Sequence, residues 1–300
     1  MLALLTGLWA GLARLGWDVP LPRPGFSSLH GPLMVSGFLG TLISLERAVA
    51  LGRPWAYAAP LLTGLGGVSL IVGAPLLAAQ WLMLAGSLGL VAIFAAIIRR
   101  HPALYTFTMG GGSLVWALGN LLWCLGWPVF LVVFWWAAFL VVTIAGERLE
   151  LARLQQVTGA AQATFLLLLG VLLTGLLLLG WSFDGGVRLF GLGLAGLALW
   201  LGRHDIARRT VKQAGLTRFV AICLLTGYVW LGISGLSAMW FGGVPVGPQY
   251  DATLHAFFLG FVFAMIFAHA PIIFPAVLGA RMTYRPLFYA HVVLLQVTLV

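Results

Sequence analysis

The chain has 300 residues, 62% of them hydrophobic and only 8% charged, and its mean hydropathy is +1.07. That balance excludes a soluble globular domain. It also excludes a membrane β-barrel, whose strands alternate in polarity over stretches of about ten residues. The net charge of +9 would suggest nucleic acid in a soluble protein, but here the basic residues sit in short connections between apolar runs, so no nucleic-acid role is expected.

Eleven apolar segments follow in chain order, at residues 1–16, 28–51, 56–74, 76–98, 105–125, 127–146, 160–181, 186–202, 217–240, 251–276 and 286–300. Continuous apolar runs of this length read as membrane-crossing helices. The expected fold is therefore all-α, a polytopic membrane helical bundle forming one integral domain over 1–300, with the lipid bilayer as its main partner. The first segment lacks the basic start of a signal peptide. The last breaks off in mid-span, so a twelfth helix is expected in the family.

Thirteen of the sixteen basic residues fall in alternate connections: Arg47 and Arg53; Arg99 and Arg100; Arg148 and Arg153; Arg203, Arg208, Arg209, Lys212 and Arg218; Arg281 and Arg285. Arg14, Arg23 and Arg188 are left for the opposite side. By the positive-inside rule the N-terminus is cytoplasmic, in a bacterial-type inner (plasma) membrane.

Ionisable side chains inside apolar spans are costly and mark functional positions. His255 and His269 share the tenth segment. Their spacing of 14 residues is about 21 Å of α-helical rise and about 40° short of whole turns, which puts both on nearly one face. Neutral imidazole is a ligand for haem iron, copper and zinc. Topology sets His30 and His255 at one outer depth and His269 and His291 at one inner depth. The first pair is the primary candidate for a cofactor, and the second is a weaker candidate for a metal such as copper. His101 and His204 fall in basic loops and are expected to be solvated.

Other features carry less. Gly37-Phe38 set on Gly260-Phe261 aligns Glu46 with His269, and Leu45-Glu46-Arg47 resembles Gly146-Glu147-Arg148. Recurrence at every fourth helix suggests three four-helix arcs. Glu46, Glu147 and Glu150 lie beside Arg47, Arg148 and Arg153 and read as interfacial ion pairs, with a proton route as the alternative. Asp251 either orients His255 or caps its helix. Gly191-x-Gly193-x-x-Gly196 matches a dinucleotide fingerprint by letter only; inside an apolar span it reads as close helix packing. Trp17, Trp123, Trp127, Trp181 and Trp240 read as interfacial anchors, and Cys124 and Cys223 as buried core residues.

His30-Gly31-Pro-Leu-Met34-Val resembles the second-helix motif of subunit I in the haem–copper oxidase superfamily. Asp251-Ala-Thr-Leu-His255, with Gly260-Phe-Val-Phe-Ala-Met265, resembles that family's tenth helix. The chain is also similar to the NnrS group of haem- and copper-containing membrane proteins, linked to nitric oxide stress. The resemblance implies one haem b held axially by His30 and His255, with Asp251 and Met34 close by. The sixth and seventh segments contain no histidine, and the tenth lacks the oxidases' His-x-His. The copper–haem binuclear centre is therefore not expected. The implied function is electron transfer, with a quinol or another redox partner, or nitric oxide handling. The alternatives are a cofactor-free transporter or channel with histidines lining a substrate or proton path, and a haem or copper sensor or assembly factor.

Overall fold

A computed structural model describes residues 1–152, 158–279 and 283–299, with backbone alone at 276–278. Arg153, Arg281 and Val300 lie outside the described residues. Among those described there is no strand, as expected of an all-α chain. The helices are α1 (Leu2–Arg14), α2 (Phe26–Leu51), α3 (Pro54–Val72), α4 (Leu76–Arg100), α5 (Leu104–Cys124), α6 (Val129–Ala152), α7 (Gly159–Leu178), α8 (Phe183–His204), α9 (Gly215–Phe241), α10 (248–278) and α11 (Phe288–Leu299). A single turn, Ala207–Thr210, precedes α9.

Eight of these, α2, α3, α4, α6, α7, α8, α9 and α10, are long and apolar enough to cross a membrane. Helix α5 has 21 residues, but Gly110-Gly-Gly112 and Asn120 dilute its apolarity. Helices α1 and α11 have 13 and 12 residues, short of the roughly 20 that a full crossing needs. Boundaries follow local chemistry. Gly52 and Gly73 end α2 and α3 in the left-handed conformation, at φ 63° and 82°, which side chains with a Cβ disfavour.

The chain divides into two compact units, Met1–Phe139 and Leu140–Val300, with the boundary inside α6. In the first, α4 packs on α3 and α5, and α1 lies against α2. Its core holds a buried polar node. Ser36 donates to Asn120 Oδ1 at 3.1 Å, Trp136 Nε1 to the same oxygen at 3.0 Å, and Trp116 Nε1 to Ser36 Oγ at 3.1 Å. With no water available, such groups are tolerated only when they satisfy one another. Trp123, expected at an interface, is 4% exposed and meets Trp136 edge-on, whereas Trp17, Trp181 and Trp240 are exposed as anchors should be.

In the second unit α8 packs on both α7 and α9, and α10 packs on α9. The glycine fingerprint is indeed packing. A Cβ at Gly191 would lie 2.6 Å from the Gly235 carbonyl oxygen, one at Gly193 2.6 Å from Leu172, and one at Gly196 2.3 Å from Leu168. Cys223 is fully buried in α9 and Cys124 is half-buried.

Two helices depart from α geometry. Leu33–Gly40 in α2 and Ala256–Phe263 in α10 are π-helical, each over 8 residues. The alignment that sets Gly37 on Gly260 carries Leu33 onto Ala256 and Gly40 onto Phe263, so the internal repeat read from the sequence coincides with a repeated distortion. Wide i→i+5 turns are rare and are found most often at functional sites. Both segments press a glycine against an indole: a Cβ at Gly40 would come within 2.2 Å of Trp116, and one at Gly260 within 2.4 Å of Trp230.

Gly40→Ala should lower the unfolding free energy by about 1–3 kcal/mol through overpacking. Gly111→Ala, which has nothing within 4 Å of its Cβ position, should be neutral or stabilising in the same thermal unfolding measurement.

Candidate functional site

The sixth apolar segment was expected to end at residue 146, with Glu147 and Arg148 just beyond it as interfacial ion pairs. Instead α6 runs on to Ala152, and the Arg148 side chain is only 8% exposed. Its partner is Asp205, which follows α8 and is 1% exposed, with Oδ2 3.9 Å from Arg148 Nε. Tyr228 Oη, from α9, donates to the same Oδ2 at 2.7 Å, and the Ala207 N–H donates to Oδ1 at 2.7 Å. Three elements of the second unit thus converge on one buried carboxylate, whose desolvation is offset only because each oxygen has a donor.

The cluster extends to α10. His269 Nδ1 lies 2.6 Å from the Met265 carbonyl oxygen, one turn earlier, so Nδ1 carries the hydrogen and Nε2 is the basic nitrogen. Arg148 Nη2 lies 3.3 Å from that Nε2, and Glu147 Oε2 lies 3.8 Å from it. A guanidinium on the ring lone pair occupies the direction that a metal would need. His291 has other neighbours, Phe267 with ring centroids 4.5 Å apart and Phe219 at 6.0 Å. His269 and His291 thus sit in unlike surroundings, one ionic and one aromatic. Among the described residues no group of three or more His, Cys, Asp or Glu is arranged for a metal ion.

In the first unit, His30 faces α1. Its Nδ1 is 2.8 Å from the Gly7 carbonyl oxygen, and a Cβ at Gly11 would lie 2.9 Å from the ring, so a glycine makes room for the imidazole. Met34, 9% exposed, packs on Gly7 of the same helix. The bond to Gly7 puts the hydrogen on Nδ1 and makes Nε2 the basic nitrogen, the tautomer that axial ligation of a haem iron requires. This histidine therefore fits the cofactor that the resemblance implies.

His255, half-buried at the end of the Pro248–His255 segment, has no hydrogen-bond partner among the described residues. Asp251 makes no capping bond and none to His255; it sits in the first turn, where its charge complements the helix dipole. The two candidate ligands are not repeat equivalents. His255 directly precedes its π segment, whereas His30 lies three residues ahead of the other.

The same distortion changes the reading of α10. A wide turn carries one residue more than an α turn, so residues beyond it lag by on the order of 100°. His255 and His269 flank such a segment and therefore look out from different faces, not from one.

His204 also departs from expectation. It ends α8, half-buried, with Nδ1 3.0 Å from the Trp200 carbonyl oxygen and its ring 4.8 Å from the indole of Trp200. His101 is exposed, as read. Asp205 and Tyr228 were missed by sequence reasoning. The available signal was scarcity, since the chain has only seven acidic residues and Asp205 is set among arginines.

Residues 1–300 match the family described as Domain of unknown function (DUF8744), and the chain belongs to that family. No curated protein and no solved structure matches it.

Arg148→Met should destabilise the protein by about 3–5 kcal/mol, because it strands a buried carboxylate. Combined with Asp205→Asn, the loss should be smaller than the sum of the two single losses. A double-mutant cycle on unfolding in detergent checks this.

Proposed function

We propose that this DUF8744 member is a multi-pass membrane protein that binds haem b, with His30 and His255 as axial ligands, and acts in electron transfer or nitric oxide handling. The observation that carries the reading is the His30 imidazole, held by the Gly7 carbonyl with Nε2 as its basic nitrogen. The motif around each histidine adds to it, as does the π-helical segment that follows each one. A haem held by His30 and His255 would supply one-electron exchange at its iron. The chain's part is to orient the rings and exclude water: Gly7 fixes one tautomer, Gly11 lets the ring approach α1, and Met34 fills the space beside it. Loop charges support a cytoplasmic N-terminus in a bacterial-type inner membrane.

A second reading, a cofactor-free transporter or channel, is favoured by the buried charges around Arg148.

Purified protein should show a haem b absorption spectrum that is lost in both His30→Ala and His255→Ala. An unchanged spectrum in either variant would remove that residue as a ligand. Colourless protein with neither iron nor copper by elemental analysis would favour the second reading.

A further inference from the structure

We infer that the connection between α8 and α9 binds an anionic phospholipid headgroup of the adjoining leaflet, through Arg203, Arg208, Arg209, Lys212 and Arg218. Residues 203–218 contain these five cations and one acid, Asp205. Asp205 is turned inward. Its side chain is 1% exposed, with the Tyr228 hydroxyl and the Ala207 N–H on its oxygens and Arg148 beside it. Its charge is thereby engaged inside the second unit, while all five cations are exposed. Among the described residues none of the five forms an ion pair.

The cations are carried on a folded strip, not on a projecting loop. Helix α8 ends at His204 and α9 begins at Gly215, so residues 205–214 alone join two helices long and apolar enough to cross a membrane. The turn Ala207–Thr210 packs on α9, with Ala207 fully buried and Ile206 and Val211 half-buried. Backbone bonds run on through the strip: Val211 N–H donates to the Ala207 carbonyl at 2.9 Å, and Gln213 N–H to the Thr210 carbonyl at 3.0 Å. Arg208 Nη1 donates to the Arg203 carbonyl at 3.2 Å, which ties the turn to the end of α8. So short and folded a connection keeps its cations at the membrane surface, inside a headgroup potential that fades over about 8 Å.

Helix stability does not account for the arrangement. Arg203, in the last turn of α8, is favoured by the helix dipole, but Arg218 lies in the first turn of α9, where the dipole repels a cation. A lipid phosphate supplies what the strip lacks, a fixed negative charge whose oxygens accept from guanidinium forks. An acidic protein would have to reach a patch folded against the bundle, whereas headgroups already surround it. No histidine of the haem proposal belongs to this connection, so the site stands or falls independently of the function proposed above.

The test is titration of the full chain in detergent with phosphatidylglycerol or phosphatidylcholine, read by native mass spectrometry. The wild type should bind the anionic lipid at least about tenfold more tightly, and Arg208→Gln with Arg209→Gln should remove most of that preference, at roughly fivefold per cation. Gln213→Glu, which sets an acid on the exposed strip, should weaken the preference in the same direction and decides the matter if the double variant fails to fold. Arg99→Gln with Arg100→Gln, at another exposed connection, should retain it. Equal affinity of the wild type for the two lipids would overturn the proposal, as would a preference unchanged in both strip variants. Displacement of the lipid by inorganic phosphate at constant ionic strength would overturn it in favour of a soluble anion. Tighter binding of a polyglutamate peptide than of phosphatidylglycerol would overturn it in favour of an acidic protein partner.

Discussion

The Arg148 guanidinium, more than nine-tenths out of contact with solvent, is the constraint around which the second unit is arranged. A permanent cation cannot shed its charge when buried, so its neighbours must supply both countercharge and hydrogen bonds. Asp205 does so from beyond the end of α8, and is itself held by a backbone amide and by Tyr228. Helix α6 can therefore carry charged residues into its last turns without ending, and α10 approaches them through His269. Removing any member leaves a neighbour unsatisfied, so the cluster acts as a unit.

The helices were legible because lipid imposes a length and a composition on them. The eleven apolar segments correspond to α1–α11, and the glycine letters inside α8 were readable as close approach because no nucleotide site fits in an apolar span. Among the described residues, α1 and α11 cover 13 and 12 residues. What was not legible was pairing over long separations. Glu147 and Arg148 looked like a helix terminus because charge normally marks water. Only a carboxylate 57 positions later, at Asp205, makes that place habitable for a guanidinium. Trp123 misled for the same reason: aromatic residues near span ends favour interfaces unless a partner such as Trp136 takes them inward.

Two of the three basic residues excluded from the positive-inside pattern, Arg23 and Arg188, also gain a physical account. Arg23 donates to the Leu70 carbonyl near the end of α3, and Arg188 donates to the Met239 and Trp240 carbonyls at the end of α9 while bonding Asp184 at 2.8 Å. Each satisfies backbone acceptors that a helix leaves open at its C-terminus. They are structural caps, and their location says little about the orientation signal carried by the other thirteen.

The twin π segments have a mechanical consequence. The extra residue in each wide turn is a dislocation: by exchanging i→i+5 for i→i+4 bonds it can travel along the helix and rotate the residues it passes, while both ends stay where they are. Gly40 against Trp116 and Gly260 against Trp230 are the contacts that pin it, because rotation would drive a side chain into the indole. Helices α2 and α10 thus each hold one residue of slack under a glycine–tryptophan catch.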